Sequence, residues 1–445
     1  MHKLRYRNNR AAATVGLDTL TEDEWVEHFG RFKPLPGSLP HPLALRYHGH
    51  QFRQYNPDLG DGRGFLFAQL RDDTGRLLDL GTKGSGRTPW SRGGDGRLTL
   101  KGGVREILAA SMLEALGVET SRAFSLIETG ENLERHDEPS PTRSAVLVRL
   151  GHSHIRIGTF QRLAANAETE ALKQLVTYVR ETYYPDLSVP EDGNEALALF
   201  EAVCSRVARV GAQWMAAGFV HGVLNTDNIA ITGESFDYGP WRFLPRFDAN
   251  FTAAYFDHNG LYAYGRQPQA LLWNLARLAE CLLEFAPHAG LTDVLSRFPA
   301  LYERELDLAW CRRLGVRPDT VETDRALRHA VTLFMETSGI PFHCLPFDWY
   351  GGSGGAERAL NGERGDLYRD SAFAEARGLL EKRDPVASYS ADHPYFSSGQ
   401  PCDMLITTVE ALWTKLSEQD DWAALGDKLT EIDLMADALG QYRAP

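Results

Sequence analysis

Cysteine is scarce in this sequence. Five occur in 445 residues (Cys204, Cys281, Cys311, Cys344, Cys402), and none forms a CxxC or CxxH pair. An odd, scattered set excludes a complete disulfide framework and makes a reducing cytoplasm the expected setting. Long apolar runs are missing as well. None approaches the ~20 residues that cross a bilayer. The opening MHKLRYRNNR has no apolar stretch of the secretory-signal kind. Positive charge is in deficit: 47 Lys and Arg stand against 60 Asp and Glu, a formal net charge of −13. That balance speaks against nucleic acid or an anionic membrane as partner. No repeat of fixed period occurs. What remains is an ordinary globular mixture, 43% hydrophobic and 24% charged. At ~150 residues per unit the length suggests about three domains or sub-lobes.

The texture changes along the chain. PLPGSLPHP at 34–42 reads as an extended loop. Short apolar runs at 65–70, 76–83, 123–129 and 144–150, separated by glycine-rich turns, read as strands. Among them 104–116 carries a helical stripe (Val104, Ile107, Leu108, Met112, Leu116) ended by Gly117. Helical periodicity then dominates: 168–182, 194–217, 268–286, 291–310, 322–337, 370–382, 404–417 and 420–439. NIAIT at 228–232 and WRFL at 241–244 read as short strands, and 351–365 (GGSGGAERALNGERG) as a flexible loop. The expected outline is α+β, a small β-rich lobe and a larger helical one. The divisions fall at 1–59 (N-terminal extension), 60–156 (small lobe), 157–345 (large lobe) and 346–445 (helical extension). A cleft between two lobes is a common ligand site.

Polar residues concentrate at that join. GDGR at 60–63 and GTKGSGRTPWSRGGDGRLTLKGG at 81–103 combine glycines with Arg63, Lys83, Arg87, Arg92, Arg97 and Lys101. Exposed backbone N–H groups and guanidinium forks suit phosphate oxygens. Solvated hairpin loops contain the same residue types, and the Walker spacing is not met. Lys83 ends a strand pattern and Glu106 opens a helix, the pairing that kinase folds use to hold ATP phosphates. A surface lysine and a dipole-favoured glutamate are the plain alternative. HGVLNTDN at 221–228 and DYG at 237–239 follow in kinase order, comparable to HRDxxxxN and DFG. Asn228 and Asp237 are oxygen donors of the kind Mg²⁺ takes beside phosphates. Val223 stands where the kinase base would be, and Asp227 is the nearest carboxylate. His41, His48 and His50 lack a fourth partner for zinc and read as loop residues. Asp348, Trp349 and Tyr350 read as an aromatic anchor beside the glycine loop.

Taken together, HGHQF at 48–52, LGDGR at 59–63, KGSGRTPWSRGGDGR at 83–97, VRE at 104–106, VRLGHSHIRIG at 148–158, HGVLNTDNIAI at 221–231, DYGPWRFL at 237–244 and RQPQALLWNLARLAE at 266–280 resemble the selenoprotein O (SelO) family of protein adenylyltransferases. The resemblance spans about 45–285. The usual asparagine-proline-rich family start is not seen in 1–40, and 403–445 contains no cysteine for a C-terminal redox control. The resemblance implies a bilobed, protein-kinase-like pseudokinase that binds ATP reversed and transfers AMP to Ser, Thr or Tyr hydroxyls of protein substrates, with Mg²⁺ or Mn²⁺. Carried over, Lys83 and Glu106 form the phosphate lysine pair. Gly60, Gly62, Arg63, Asp95, Gly96, Arg149 and Arg156 bind nucleotide. Asp227 is the base, and Asn228 and Asp237 hold metal. Ordinary kinase phosphotransfer, a non-catalytic nucleotide-binding scaffold, and AMP transfer to a small molecule or to the chain itself are the competing readings.

Overall fold

A computed structural model describes residues 2–136, 138–189 and 193–441. The chain begins with β1 (Lys3–Arg7), α1 (Asn9–Thr14), α2 (Glu22–Phe29) and the hairpin β2 (Gly49–Gln51) and β3 (Gln54–Asn56). Then come β4 (Leu66–Arg71), β5 (Leu77–Lys83), β6 (Leu98–Thr99), α3 (Leu100–Ala115), β7 (Arg122–Leu133) and β8 (Thr142–Gly151). The main sheet runs β1-β7-β8-β5-β4, antiparallel throughout, with β6 paired to β8. The apolar runs read as strands thus become β4, β5, β7 and β8. The first strand of the chain joins the same sheet at its edge. One sheet face is sealed by α1 and α2. Their Trp25 and Phe29 pack with Phe67, Leu80 and Phe124 in a small separate core, and the Trp25 indole N–H donates to Ser125 Oγ at 2.9 Å.

The other face carries α3. This helix starts four residues earlier than the stripe predicts, capped by Thr99 accepting from the Gly102 N–H. The two glycines that looked like a loop are helical because the helix lies tight on β7: a Cβ at Gly103 would sit 2.4 Å from Leu126 Cδ1.

Helices follow: α4 (Ile157–Ala165), α5 (Thr169–Tyr183) and α6 (Glu195–Ala217). A two-stranded ribbon of β9 (Phe219–Val220) and β10 (Arg242–Phe243) frames the polar loop 221–240. Beyond it lie α7 (Gln267–Cys281), α8 (His288–Arg313), α9 (Val321–Ser338), α10 (Cys344–Asp348), α11 (Ala356–Asn361), α12 (Gly365–Arg369), α13 (Ala374–Leu380), α14 (Ile406–Gln419) and α15 (Ala423–Ala438). One large core joins α3 to nearly all of them. Among the described residues no helix is long and apolar enough to cross a membrane.

Two sequence expectations fail. NIAIT is not a strand: Thr226–Asn228 is a 3₁₀ turn, and only Ala230 makes an isolated bridge, to Arg156. Its apolar residues are buried as an irregular segment, a state that composition does not separate from a strand. Residues 351–365 are not a flexible loop but short helical turns. Their glycines serve close approach, since a Cβ at Gly352 would stand 2.7 Å from the Arg383 carbonyl.

Candidate active site

A cavity of about 830 Å³ opens between the sheet and the helices. From the sheet side it is walled by Gly60, Gly62, Arg63, Lys83, Asp95, Gly96 and Arg149. From the other side come Arg156, Val223, Asp227, Asn228 and Asp237. Every residue that the family resemblance assigns to the site therefore meets here except Glu106, which stands behind the wall; of the other cations in the glycine-rich stretch, Arg92 and Arg97 line the cavity and Arg87 and Lys101 do not. The two glycine loops are stitched together: Thr88 Oγ1 donates to the Asp61 carbonyl at 2.5 Å and Ser91 Oγ to the Gly62 carbonyl at 2.6 Å.

The buried end is a charge cluster. Lys83, at the end of β5, pairs with Glu106 of α3 and with Asp237 Oδ1 at 2.6 Å. Arg149 of β8 reaches the same Oδ1 at 3.1 Å. Burial works to raise the Asp237 carboxyl, but Lys83, then Arg149 and Arg156, outweigh it and hold the group well below the usual carboxylate range. Asp237 has a positive φ of 62°, a conformation that Asp and Asn tolerate better than other L-residues. Arg156 is fully enclosed. Its guanidinium lies 4.2 Å from the Tyr47 ring and 5.1 Å from the Phe236 ring, donates to the Asp227 carbonyl at 3.2 Å and stands 3.5 Å from Asp61 Oδ1. A planar cation held between rings presents its N–H edges in one fixed plane.

Asp227 and Asn228 occupy the 3₁₀ turn after β9. Burial pushes the Asp227 carboxyl up to about 6, with Arg156 opposing, and its Oδ1 is buried without a hydrogen-bond partner. A carboxylate in that range is suited to accepting a proton near neutral pH. The Asn228 amide N–H donates to the Val223 carbonyl at 2.9 Å, which leaves its Oδ1 as the donor atom for a cation. Asp237 keeps Oδ2 outside the Lys83 and Arg149 contacts. Amide and carboxylate oxygens beside a phosphate site are the donor set that Mg²⁺ or Mn²⁺ takes, completed by water and phosphate oxygens. Val223 brings no charge to the wall. His221, at the head of the motif, is buried, and burial pushes its imidazole down to about 4; its Nε2 faces the Phe236 carbonyl at 3.4 Å.

The rim differs in part from the sequence reading. Lys101 turns away and pairs with Glu410 of α14 at 2.7 Å, and Asp95 is clamped by Arg135 at 2.8 Å. Arg135 and His136, on the β7–β8 loop, line the mouth with Trp90, and Tyr47 and Gln51 line the interior. None of these five was singled out from the sequence. Gln51 lay inside the quoted HGHQF, and Arg135 inside the charged run ERHDE. Each histidine of HGH has a partner: His48 Nδ1 meets Tyr55 Oη at 2.6 Å and His50 Nδ1 meets Gln161 Nε2 at 2.7 Å.

Comparison with known proteins points the same way. Residues 1–347 match the family described as "Protein adenylyltransferase SelO". The match starts at the first residue and so reaches well past the 45–285 stretch where the resemblance was read, including the N-terminal segment that looked atypical. A Synechocystis sp. protein named "Protein nucleotidyltransferase YdiU" is 44% identical over 450 residues, covering 97% of this chain and 92% of its own. One of the same name from Gloeobacter violaceus is 44% identical over 445 residues, covering 97% and 90%. A third, from Synechococcus elongatus, is 53% identical over 325 residues, 72% of this chain and 65% of its own. With its lysine–glutamate pair, paired arginines and HGVLNTDN–DYG segment gathered around one cavity, this chain belongs to the SelO family.

Proposed function

We propose that the chain transfers the AMP moiety of ATP to Ser, Thr or Tyr hydroxyls of proteins, with ATP lying reversed relative to an ordinary kinase. Membership of a nucleotidyltransferase family makes it an enzyme with a nucleotide substrate. The frame we propose is kinase-like and two-lobed, 60–156 over 157–345, with 1–59 and 346–445 as extensions. The observation that carries the reading is the convergence of three buried cations, Lys83, Arg149 and Arg156, on the wall that also holds Asp237 and Asp227. The tail of a triphosphate needs such a place, since its charge is costly to bury unpaired.

In this reading Lys83, Arg149 and Arg156 neutralise the β- and γ-phosphates, with Arg63 and the 60–64 and 93–96 loops closing over the nucleotide. Glu106 keeps Lys83 pointed inward. Asp227 accepts the hydroxyl proton as the oxygen bonds to the α-phosphorus, the bond from that phosphorus to the bridging oxygen breaks, and pyrophosphate leaves. Asn228 and Asp237 would hold Mg²⁺ or Mn²⁺, which supplies charge compensation for the phosphates when bound. Most of the acceleration then comes from positioning and electrostatics.

Labelled ATP tests this directly. Label in the α-phosphate is expected on protein acceptors, with a mass gain of one AMP unit. Label arriving from the γ-phosphate means ordinary phosphotransfer. Neither label arriving, with ATP still raising the melting temperature, means a binding scaffold.

A further inference from the structure

We propose that a second cavity, walled by the end of α3, the start of β7 and α6, binds a small phosphate monoester that carries hydroxyl groups, such as a sugar phosphate. This cavity has a volume of about 530 Å³ and shares no lining residue with the nucleotide cavity. The two are divided by β8, where Arg149 lines the first and its neighbour Leu150 the second. Four arginines line the second cavity, Arg76, Arg122, Arg206 and Arg209. Arg122 gives its Nε to Glu114 Oε1 at 2.8 Å, and Arg76 gives its Nε to Asp72 Oδ2 at 3.2 Å. The Nη ends of both donate no hydrogen bond among the described residues. Arg206 spends one N–H on the Tyr183 carbonyl at 3.0 Å and lies 3.8 Å over the Tyr184 ring. Arg209 stands 3.6 Å from Glu119 and 3.5 Å from Glu305, and no hydrogen bond fixes its guanidinium among the described residues. Guanidinium forks with N–H groups to spare suit phosphate oxygens.

The carboxyls on the same wall, Glu114, Glu119 and Glu234, do not cancel this charge in full. Glu114 is also shared with Arg10. Burial pushes the Glu234 carboxyl up to about 7, so near neutral pH it offsets only part of a cation. The unmet positive field shows on His152, which lines the cavity: burial first, then Arg76 and Arg206, push its imidazole down to about 4. A bare phosphate would leave most of the cavity empty, whereas a sugar phosphate is of the size such volumes hold. Glu119 and Glu234 are acceptors for the hydroxyls of such a ligand. On the same wall Thr232 is 2% exposed, and its hydroxyl is buried without a hydrogen-bond partner, a state that buried polar groups rarely keep.

Calorimetry with glucose 6-phosphate, glucose and inorganic phosphate tests this on the full chain. The variants are Arg209→Gln and Arg76→Gln in this cavity and Arg63→Gln in the nucleotide cavity. Both Arg209 and Arg76 have side chains more than two-fifths exposed, so their replacement is expected to leave the melting temperature unchanged; if one of them fails to fold, the other carries the test. Wild type is expected to bind glucose 6-phosphate with Kd below about 1 mM, and glucose not at all. Arg209→Gln and Arg76→Gln should each weaken that binding by roughly tenfold or more, the loss of one charge-assisted contact. Arg63→Gln should leave it within about twofold, on the same scale. No binding to wild type overturns the proposal. So does binding that Arg63→Gln removes while the other two variants keep it, since the anion then sits among the nucleotide loops. Inorganic phosphate binding as tightly as glucose 6-phosphate overturns the part given to the hydroxyls. None of these outcomes bears on AMP transfer, which is read separately.

Discussion

Asp237 pairs with both Lys83 and Arg149 through Oδ1, and in the proposed reading its second oxygen would also serve a cation. Asparagine keeps the shape and tolerates the positive φ but not the charge. Asp237→Asn is therefore expected to lower AMP transfer by roughly 10²-fold or more. With Lys83 and Arg149 left partly uncompensated, it should also lower stability by about 1–3 kcal/mol; intact-mass assays and denaturant melts check the two effects separately. Glu234 behaves differently. Burial pushes its carboxyl from 4.5 up to about 7, while its Oε2 accepts the His152 N–H at 2.7 Å. A carboxyl whose folded pKa lies above its unfolded one supports folding while protonated. That support is complete below pH 4.5 and is lost as pH rises through 7. Melts of wild type and Glu234→Gln should converge at pH 4.5, and the variant should be the more stable at pH 8. Equal melting at both pH values would mean that Glu234 is solvated.

At the level of elements, the decisive contact is α15 on α3, the helix that carries Glu106. Ile432 and Met435 of α15 are fully buried. Ile432→Ala is expected to cost about 2–5 kcal/mol and, by loosening α3, to raise KM for ATP; an unchanged KM would separate the two helices functionally. This coupling was not legible in the sequence. The stripe Val104–Leu116 announced α3, and alternation with turn residues announced β4, β5, β7 and β8, because local pattern decides those elements. The HGVLNTDN and DYG segments were legible for the same reason, as fixed spacings of oxygen donors. Tyr47, Gln51 and Arg135 were not, since only the fold brings a hairpin at 49–56 and a loop at 134–136 to the cavity. The glycines at 102–103 and 351–355 misled, because glycine marks both freedom and tight packing.

The whole molecule is acidic, with a net charge of −13, and holds a cationic cavity. The cations nearest the proposed phosphates are buried, Lys83 at 7% and Arg156 at 3% exposure, so salt screens them little. Raising salt from about 0.05 to 0.5 M should weaken ATP binding only a few-fold by calorimetry. A loss of a hundredfold or more would move the binding charge out to the rim arginines. Segments far apart in sequence also meet. Arg5 and Arg143 share Asp420, at 3.0 and 2.9 Å, and Lys101 takes Glu410 from 309 positions further on. During synthesis, then, the apolar back of α3 leaves the ribosome long before the helix that covers it exists. Until that helix is made, the face of α3 that it covers is open apolar surface, the kind that favours association between incomplete chains.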